Sequence, residues 1–279
     1  MHVQAHRRLA SFLSTAKPFL DQEEVLNHLI LGIANRLNPE NDIPEDSHLL
    51  SISDGRGKVV FAAVQSPGRE MIVSGAKSAV ESFLDFLKDN AIKIKGVEGT
   101  KALTDAIARH WENAFSGTTK VSLEHLIYAL YEVLPVSLSE GKMRLAVAED
   151  RKILEQWAYD FQIDAFGEGR GSREEANNRI RDKLEKQELF VWETNQIVSM
   201  ASFARPGDQG VAINYVFTPK AFRKKGYARS LVAALSQEML DRGFRFCTLF
   251  TDTHNSTTNK IYREIGYEPM GAFQSVALK

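Results

Sequence analysis

The sequence is short of cysteine: Cys247 is the single one in 279 residues. One thiol cannot close an intramolecular disulfide or build a cysteine-based metal cluster, and this scarcity fits a reducing, cytoplasmic setting. Long apolar runs are missing too. No stretch approaches the roughly 20 apolar residues that cross a bilayer, so a membrane is not an expected partner. Neither charge is in excess, with 35 Lys and Arg against 36 Asp and Glu and a net charge of -1. Chains that live on nucleic acid usually carry a basic surplus, so nucleic acid is not expected either. The seven histidines are scattered, without an H-x-x-x-H pair, and no metal is expected. What is present, 43% hydrophobic and 25% charged residues, is the composition of soluble globular chains. The length suits two domains of ordinary size.

Arg7 and Arg8 ahead of the apolar run 9–13 imitate a secretion signal, but Ser11, Ser14 and Thr15 interrupt it. A short amphipathic surface helix is the better reading. A seam falls at 135–142, where Pro135, Ser137, Ser139 and Gly141 break the apolar pattern. It divides the chain into 1–138 and 139–279. The second half alternates strands and helices. A strand at 142–148 is followed by a helix capped by Asp150, with Ile153, Leu154, Trp157, Ala158 and Phe161 at helical spacing. Ser172 opens a further helix with Glu175 in the capping-box position. The runs 189–193 and 197–203 read as a hairpin, and 210–218 as another strand. A helix over 226–242, the strand 244–251, a helix ending at Ile265 and an extended tail complete this half. The strand 244–251 is apolar on both faces, which places it inside a sheet covered by helices.

The most informative stretch follows the strand 210–218. It runs through Thr218-Pro219 and Lys220 to Arg223-Lys224-Lys225-Gly226-Tyr227-Ala228, and then into an amphipathic helix with Leu231, Val232, Leu235 and Met239 on one face. A helix start exposes unpaired N–H groups and the positive end of the dipole. Glycine lets the backbone approach an anion closely, and the neighbouring cations add charge. The sum is a site for a diphosphate. A solvated basic loop and a nucleic-acid patch are the competing readings, and the strand–loop–helix context favours the phosphate cradle.

Arg223-Lys224-Lys225-Gly226-Tyr227-Ala228 resembles the R-x-x-G-x-A signature of the GNAT N-acetyltransferases, which bind acetyl-CoA. The segment from Asp252 to Tyr267, with Asn255, Asn259, Tyr262 and the pair Gly266-Tyr267, is similar to the family's second motif. The element order of 142–279 also matches that fold. The resemblance implies an α/β (α+β) fold with a mixed, mostly antiparallel central sheet flanked by helices. It implies acetyl-CoA as co-substrate, held by Arg223, Lys224, Lys225, Gly226, Tyr227, Ala228, Asn255 and Asn259, with backbone groups of Val216 and Thr218 beside the thioester. It implies Tyr262 as the catalytic acid that protonates the departing CoA thiolate. Ordinary thiol and tyrosine pKa values, ~8.5 and ~10, make that transfer possible without large tuning.

Asn255, Asn259 and Tyr262 stand at i, i+4 and i+7 on one helical face, and Ile261 and Ile265 on another that faces the core. For Asn255 a helix cap and a ligand contact are equally good readings. No acid lies on the strand 210–218. Glu193, Asp252 and His254 are therefore the candidates for the base. Cys247, in mid-strand without an adjacent base, reads as an inert core cysteine.

In the first half, residues 19–37 read as a helix with the stripe Val25, Leu26, Leu29, Ile33 and Leu37. The turn Asp54-Gly55-Arg56-Gly57 joins a hairpin of 48–53 and 58–64. A strand at 70–74, a helix at 77–90, a strand at 91–95, a helix at 100–115 and an extended run at 120–134 follow. This order is again that of the GNAT fold, but the loop Gly75-Ala76-Lys77-Ser78 lacks the basic signature. The first half is thus either a degenerate GNAT-like copy in a tandem pair or an unrelated accessory α/β domain.

The activity expected is acetyl transfer from acetyl-CoA to a primary amine by direct attack in a ternary complex. The alternative is a catalytically inactive CoA-binding sensor or scaffold. The expected partner is a small-molecule or peptide amine acceptor, with homodimerisation left open.

Overall fold

The computed structural model describes residues 1–35, 43–167 and 171–279. Its elements fall into two runs with the same order: strand, two helices, three strands, helix, strand, helix, strand. The first run is β1 (His2–His6), α1 (Leu9–Leu20), α2 (Glu24–Ala34), β2 (His48–Ser53), β3 (Val59–Gln65), β4 (Met71–Gly75), α3 (Val80–Asp89), β5 (Gly96–Thr100), α4 (Lys101–Phe115) and β6 (Thr119–Leu130). The second is β7 (Lys142–Leu145), α5 (Arg151–Phe166), α6 (Arg173–Glu185), β8 (Leu189–Glu193), β9 (Ile197–Ala204), β10 (Gly210–Phe217), α7 (Tyr227–Asp241), β11 (Phe246–Asp252), α8 (Ser256–Ile265) and β12 (Glu268–Leu278). Among the described residues no helix is long and apolar enough to cross a membrane.

The chain forms two compact units, and neither is one uninterrupted segment. The first comprises Met1–Tyr128, Phe250–Asn255 and Pro269–Lys279; the second comprises Ala129–Leu249 and Ser256–Glu268. In the first unit the strands run β1-β2-β3-β4-β5-β12-β6. The pairings β1/β2, β2/β3, β3/β4 and β5/β12 are antiparallel and β4/β5 is parallel. Strand alternation sends Leu49, Ala62 and Val64 to one face, against Leu9, Phe12, Ala16 and Leu20 of α1. It sends Leu50, Phe61 and Ala63 to the other, against Phe83 and Leu84 of α3 and Leu103 and Ile107 of α4.

Helix α1 is therefore not a surface appendage: its apolar stripe is fully buried, and it continues through Pro18 to Leu20. The expected helix over 19–37 is divided between the end of α1, a 3-10 turn at Asp21–Glu23 and α2. The buried face of α2 carries Asn27, His28, Ile30, Leu31 and Ala34, while Leu26, Leu29 and Ile33 of the expected stripe are half-buried. The segment is apolar nearly all round, so its periodicity does not fix its phase. Leu37 lies outside the described residues. The strand expected at 91–95 starts later, at Gly96. Ala91, at φ 54, turns the chain at the end of α3. At Gly99 an added Cβ would lie 2.6 Å from the Val73 carbonyl oxygen. Glycine is a weak strand former, yet here it permits the close approach of β4 and β5.

In the second unit the order is β11-β10-β9-β8-β7, antiparallel except for β10/β11. Helices α5 and α6 cover one face through Leu154, Trp157, Ala158, Ala176 and Ile180. Leu231, Val232, Leu235 and Met239 of α7 are buried, as their spacing predicts. Full burial of such side chains contributes about 1.5–3 kcal/mol each. Ser172 and Glu175 form the expected capping box: the Glu175 N–H donates to Ser172 Oγ at 3.1 Å and the Ser172 N–H to Glu175 Oε2 at 3.2 Å. Asp150 does not cap α5. A 3-10 turn at Ala148–Asp150 begins the helix earlier, and Asp150 reaches back to accept the Val147 N–H at 3.0 Å. Strand β7 accordingly ends at Leu145. Ile153, expected in the buried stripe, is 40% exposed. Strand β11 begins at Phe246 and is buried on both faces up to Leu249, as its apolar pattern requires.

Candidate active site

Strand β10 carries the first specialised feature. Its register with β9 passes from Asn214 opposite Ser202 to Phe217 opposite Met200, so β10 holds one extra residue. Tyr215 takes φ 52 at this bulge, a left-handed conformation that costs a non-glycine residue about 1–2 kcal/mol. Burial of its ring offsets the cost: Tyr215 packs 5.1 Å from Phe161 and its hydroxyl accepts from Arg179 at 3.5 Å. Both sides of the bulge are pinned to β9. Ser202 Oγ donates to Asn214 Oδ1, and Ser199 Oγ donates to the Phe217 carbonyl at 3.0 Å and meets Thr218 Oγ1 at 2.8 Å. On its other side β10 pairs with β11 only at Gly210, Val211 and Ala212. The pairing is not continued beyond Ala212 toward Val216.

The loop after β10 carries the second feature. A 3-10 turn at Lys220–Phe222 leads to Arg223 in extended conformation, then Lys224 at φ 64 and Gly226 at φ 78. Left-handed residues in such a turn aim successive N–H groups into one concavity. The first intrahelical bond of α7 joins the Ser230 N–H to the Gly226 carbonyl, so the N–H groups ahead of it lack helical partners. A side chain at position 226 is excluded twice, by the positive φ and by Ser139 Oγ, which would lie 2.7 Å from the added Cβ. Ser139 also braces the loop from behind. Its hydroxyl donates to the Lys225 carbonyl at 2.8 Å and its N–H to Ser230 Oγ at 2.8 Å.

In front of the loop lies a cleft of about 660 Å³, lined by Lys224, Lys225, Gly226, Arg229, Ser256, Thr257, Lys260, Ile261 and Glu264. Four cations face one carboxylate there. Glu264 accepts from Arg229 at 3.1 Å and lies 3.9 Å from Lys260, which leaves Lys224 and Lys225 to set the sign of the loop side. A second cleft, about 510 Å³, runs along α8 past Asn259, Lys260 and Arg263. The donor set fits a phosphorylated ligand: backbone N–H groups at a helix start, lysines and hydroxyls.

The other sequence-chosen residues are distributed more widely. Arg223 turns away from the cleft: Nε donates to the Thr218 carbonyl at 2.9 Å and Nη2 pairs with Asp164 at 2.5 Å. Tyr227 and Ala228 form the half-buried first turn of α7. Asn255 is exposed directly ahead of α8, and its N–H donates to the Asp252 carbonyl. Asn255, Asn259 and Tyr262 run from exposed through half-buried to buried, so they do not make one polar face. Tyr262 is 6% exposed and packs edge-on against Tyr267 at 5.8 Å. Burial raises its pKa, so it is a weaker acid in this state than an ordinary tyrosine. Ile265 is buried as expected, whereas Ile261 faces the cleft.

Of the base candidates, Glu193 is tied to a cation. Glu193 accepts from Arg144 at 2.8 Å, and this charge-assisted bond holds its carboxyl below the usual range. On the same Arg144, Asp150 is raised by burial but lowered more by the hydrogen bonds from Arg144 and the Val147 N–H. His254 and Asp252 sit 3.4 Å apart in exposed positions. Burial pushes the Cys247 thiol up to about 12, which matches an inert core cysteine. Among the described residues no group of His, Cys, Asp or Glu is arranged to hold a metal.

Arg229, Ser256, Thr257, Lys260 and Glu264 had not been singled out from the sequence. Arg229 was within reach of a helical-wheel argument, three residues past Gly226. Lys260 and Glu264 depend on α8 packing beside α7, which local sequence does not encode.

The second unit thus presents a bulged strand that parts from its parallel neighbour and feeds a basic loop and a helix start. Residues 153–267 match the family model described as "Acetyltransferase (GNAT) family". This part of the chain is therefore a GNAT acyltransferase domain. No curated protein matches the sequence. Among solved structures, a GCN5-related N-acetyltransferase from Sphaerobacter thermophilus is similar at TM-score 0.63 and 16% identity, covering 99% of this chain and 95% of that one. An acetyltransferase of the GNAT family from Colwellia psychrerythraea is similar at TM-score 0.60 and 14% identity, covering 100% and 99%. A tandem GNAT protein from the clavulanic acid biosynthesis pathway is similar at 0.55 and 11%, covering 100% and 98%. At these identities the likeness is one of fold. It extends over the full chain, which has the mixed, mostly antiparallel α/β architecture expected from the sequence.

Proposed function

We propose that the second unit transfers an acetyl group from acetyl-CoA to a primary amine, on a small molecule or a peptide, by direct attack in a ternary complex. The observation that carries the reading is the conjunction of the β10 bulge with the cleft in front of 224–226. One offers free backbone N–H groups to a carbonyl, the other a cradle for a diphosphate. The amine nitrogen bonds to the acetyl carbon, the carbon–sulfur bond breaks, and the thiolate takes a proton from Tyr262. The proton lost by the amine passes to water, since β10 bears no acid. The same reading places the reaction in the cytoplasm, on the strength of the single, buried Cys247.

The first unit, in this reading, is a degenerate GNAT copy that does not bind CoA, because its β4–α3 connection lacks the bulge and the basic loop. A second reading is favoured by the raised Tyr262 and the unactivated Glu193: a CoA-binding sensor or scaffold without turnover. Thiol release from acetyl-CoA across a panel of amines, run beside calorimetric CoA binding, separates the two. Release with one or more amines supports the enzyme; CoA binding with no release for any amine supports the sensor.

A further inference from the structure

Two cations of the basic loop, Lys220 and Arg223, are not in the cleft lining, and Arg223 is the one tied into the scaffold. Three contacts hold Arg223, and all of them point back into the scaffold. Nε donates to the Thr218 carbonyl at 2.9 Å, Nη2 pairs with Asp164 Oδ2 at 2.5 Å, and the guanidinium lies 5.8 Å from the centre of the Phe217 ring. Asp164 belongs to the last turn of α5, fifty-nine positions away in sequence. Directly after Arg223 comes Lys224 in the left-handed conformation, a strained state that persists only when its flanks are held. Ser139 holds one flank through the Lys225 carbonyl. Arg223 holds the other.

We propose that Arg223 acts as a strut and not as a phosphate ligand, with Asp164 as its positioning partner, so that the pair sets the aim of the N–H groups at 224–226. This inference rests on the proposed CoA site. The fork of the guanidinium is what the role needs: two directed N–H donors reach two fixed acceptors, which a lysine ammonium cannot reproduce. The pair is half-exposed, with side chains 41% and 37% accessible, so it contributes little to global stability. Its effect is on the loop.

The test uses the full chain, with CoA binding by calorimetry and amide hydrogen exchange of the ligand-free protein. Arg223→Lys and Asp164→Asn should each weaken CoA binding roughly five- to tenfold, and the double variant should be no worse than the weaker single. The sign for Asp164→Asn is diagnostic. Removing a carboxylate near an anion site tightens binding by Coulomb's law alone, whereas removing the strut's anchor weakens it. The salt dependence of CoA binding should be unchanged in Arg223→Lys and reduced in Lys225→Ala. Melting temperatures should stay within a degree or two of wild type, and exchange across 219–228 should quicken in both strut variants.

Wild-type affinity in Arg223→Lys, or tighter binding in Asp164→Asn, overturns the strut. Absence of CoA binding by the wild-type protein overturns the cofactor reading instead. The strut is then decided by exchange across 219–228, supported if it quickens and overturned if it does not.

Discussion

The same topological step, a strand handing the chain to a helix across a parallel strand pair, occurs once in each unit and is built in opposite ways. In the first unit β4 pairs with β3 in unbroken register from Val64 opposite Ile72 to Phe61 opposite Gly75. Ala76 and the 3-10 turn Lys77–Ala79 then lead straight into α3, with Lys77 as the only cation of that connection. Gly99 lets β5 close against Val73. In the second unit β10 is bulged, parts from β11 after Ala212, and needs 218–226 to reach α7. The short version keeps its antiparallel register unbroken, although its parallel pairing with β5 covers only Met71 and Ile72. The long version gives up ladder bonds and tolerates a strained Tyr215 in exchange for free N–H groups and a cationic concavity. The connection is where the two units differ most, and it is where the proposed chemistry lies.

The sharpest way to break this comparison is to damage one glycine in each unit. Gly226→Val should cost about a hundredfold in CoA affinity, because a branched side chain meets both a positive φ and Ser139, and this strain should also lower the melting temperature by a few degrees. Gly99→Val should lower the melting temperature at least as much but leave CoA affinity unchanged. Calorimetry and thermal unfolding on the same two proteins would show whether the strained loop and the closed pair divide function and stability in this way.

Tyr262→Phe is expected to lower kcat about a hundredfold with an unchanged KM for acetyl-CoA, the size of one general-acid contribution. Full activity in that protein would remove Tyr262 from the mechanism and leave water as the acid. Next in size are the loop cations. Replacing Lys224 and Lys225 together by alanine should weaken CoA binding about tenfold and flatten its salt dependence, while Lys77→Ala should have no effect. A comparable loss from Lys77→Ala would mean that the first unit also holds the co-substrate.

The smallest expected difference concerns acid. In the first unit, burial lowers the pKa of His6 and His48, although Asp46 pulls His48 the other way. A histidine depressed in the fold contributes stability that is complete above its ordinary pKa of ~6.5 and is lost as pH falls through the depressed value. In the second unit, Asp150 and Glu193 are held below their ordinary values of ~4 by Arg144, and their contribution is lost only as pH falls further. On acidification, limited proteolysis should therefore reach β1 and β2 before β7 and β8. Arg144→Met should move the onset for β7 and β8 upward, toward pH ~4.

Much of the second unit was legible from local chemistry. The Ser172–Glu175 capping box, the β8–β9 hairpin, the apolar β11 and the basic loop before α7 are each specified by residues close in sequence, whose preferences do not depend on distant partners. Legibility failed where the deciding partner was remote or the pattern was degenerate. The stripe of α2 was misphased because a helix apolar nearly all round, with Asn27 and His28 on its buried side, gives no clear phase. Strand β5 was placed too early because its glycines read as breakers until Val73 is seen against Gly99. Arg223 reads as a phosphate ligand until Asp164, far away on α5, is found holding it.

The sequence alone determined the class of fold, the order of elements in the second half and the basic loop ahead of α7, because helix starts, turns and amphipathic periods are short-range properties. It left open whether the first half repeats that order, since β1 and the break between α1 and α2 carry no clear local signal. Tertiary structure decided the rest. It gathered Phe250–Asn255 and Pro269–Lys279 with Met1–Tyr128 into one unit, which no cut of the sequence into halves anticipates. It placed the extra residue of β10, since a bulge is defined only by the register of a neighbouring strand. And it set Lys224 and Lys225 in the cleft lining but Arg223 against Asp164, because a charge finds its partner in space and not along the chain.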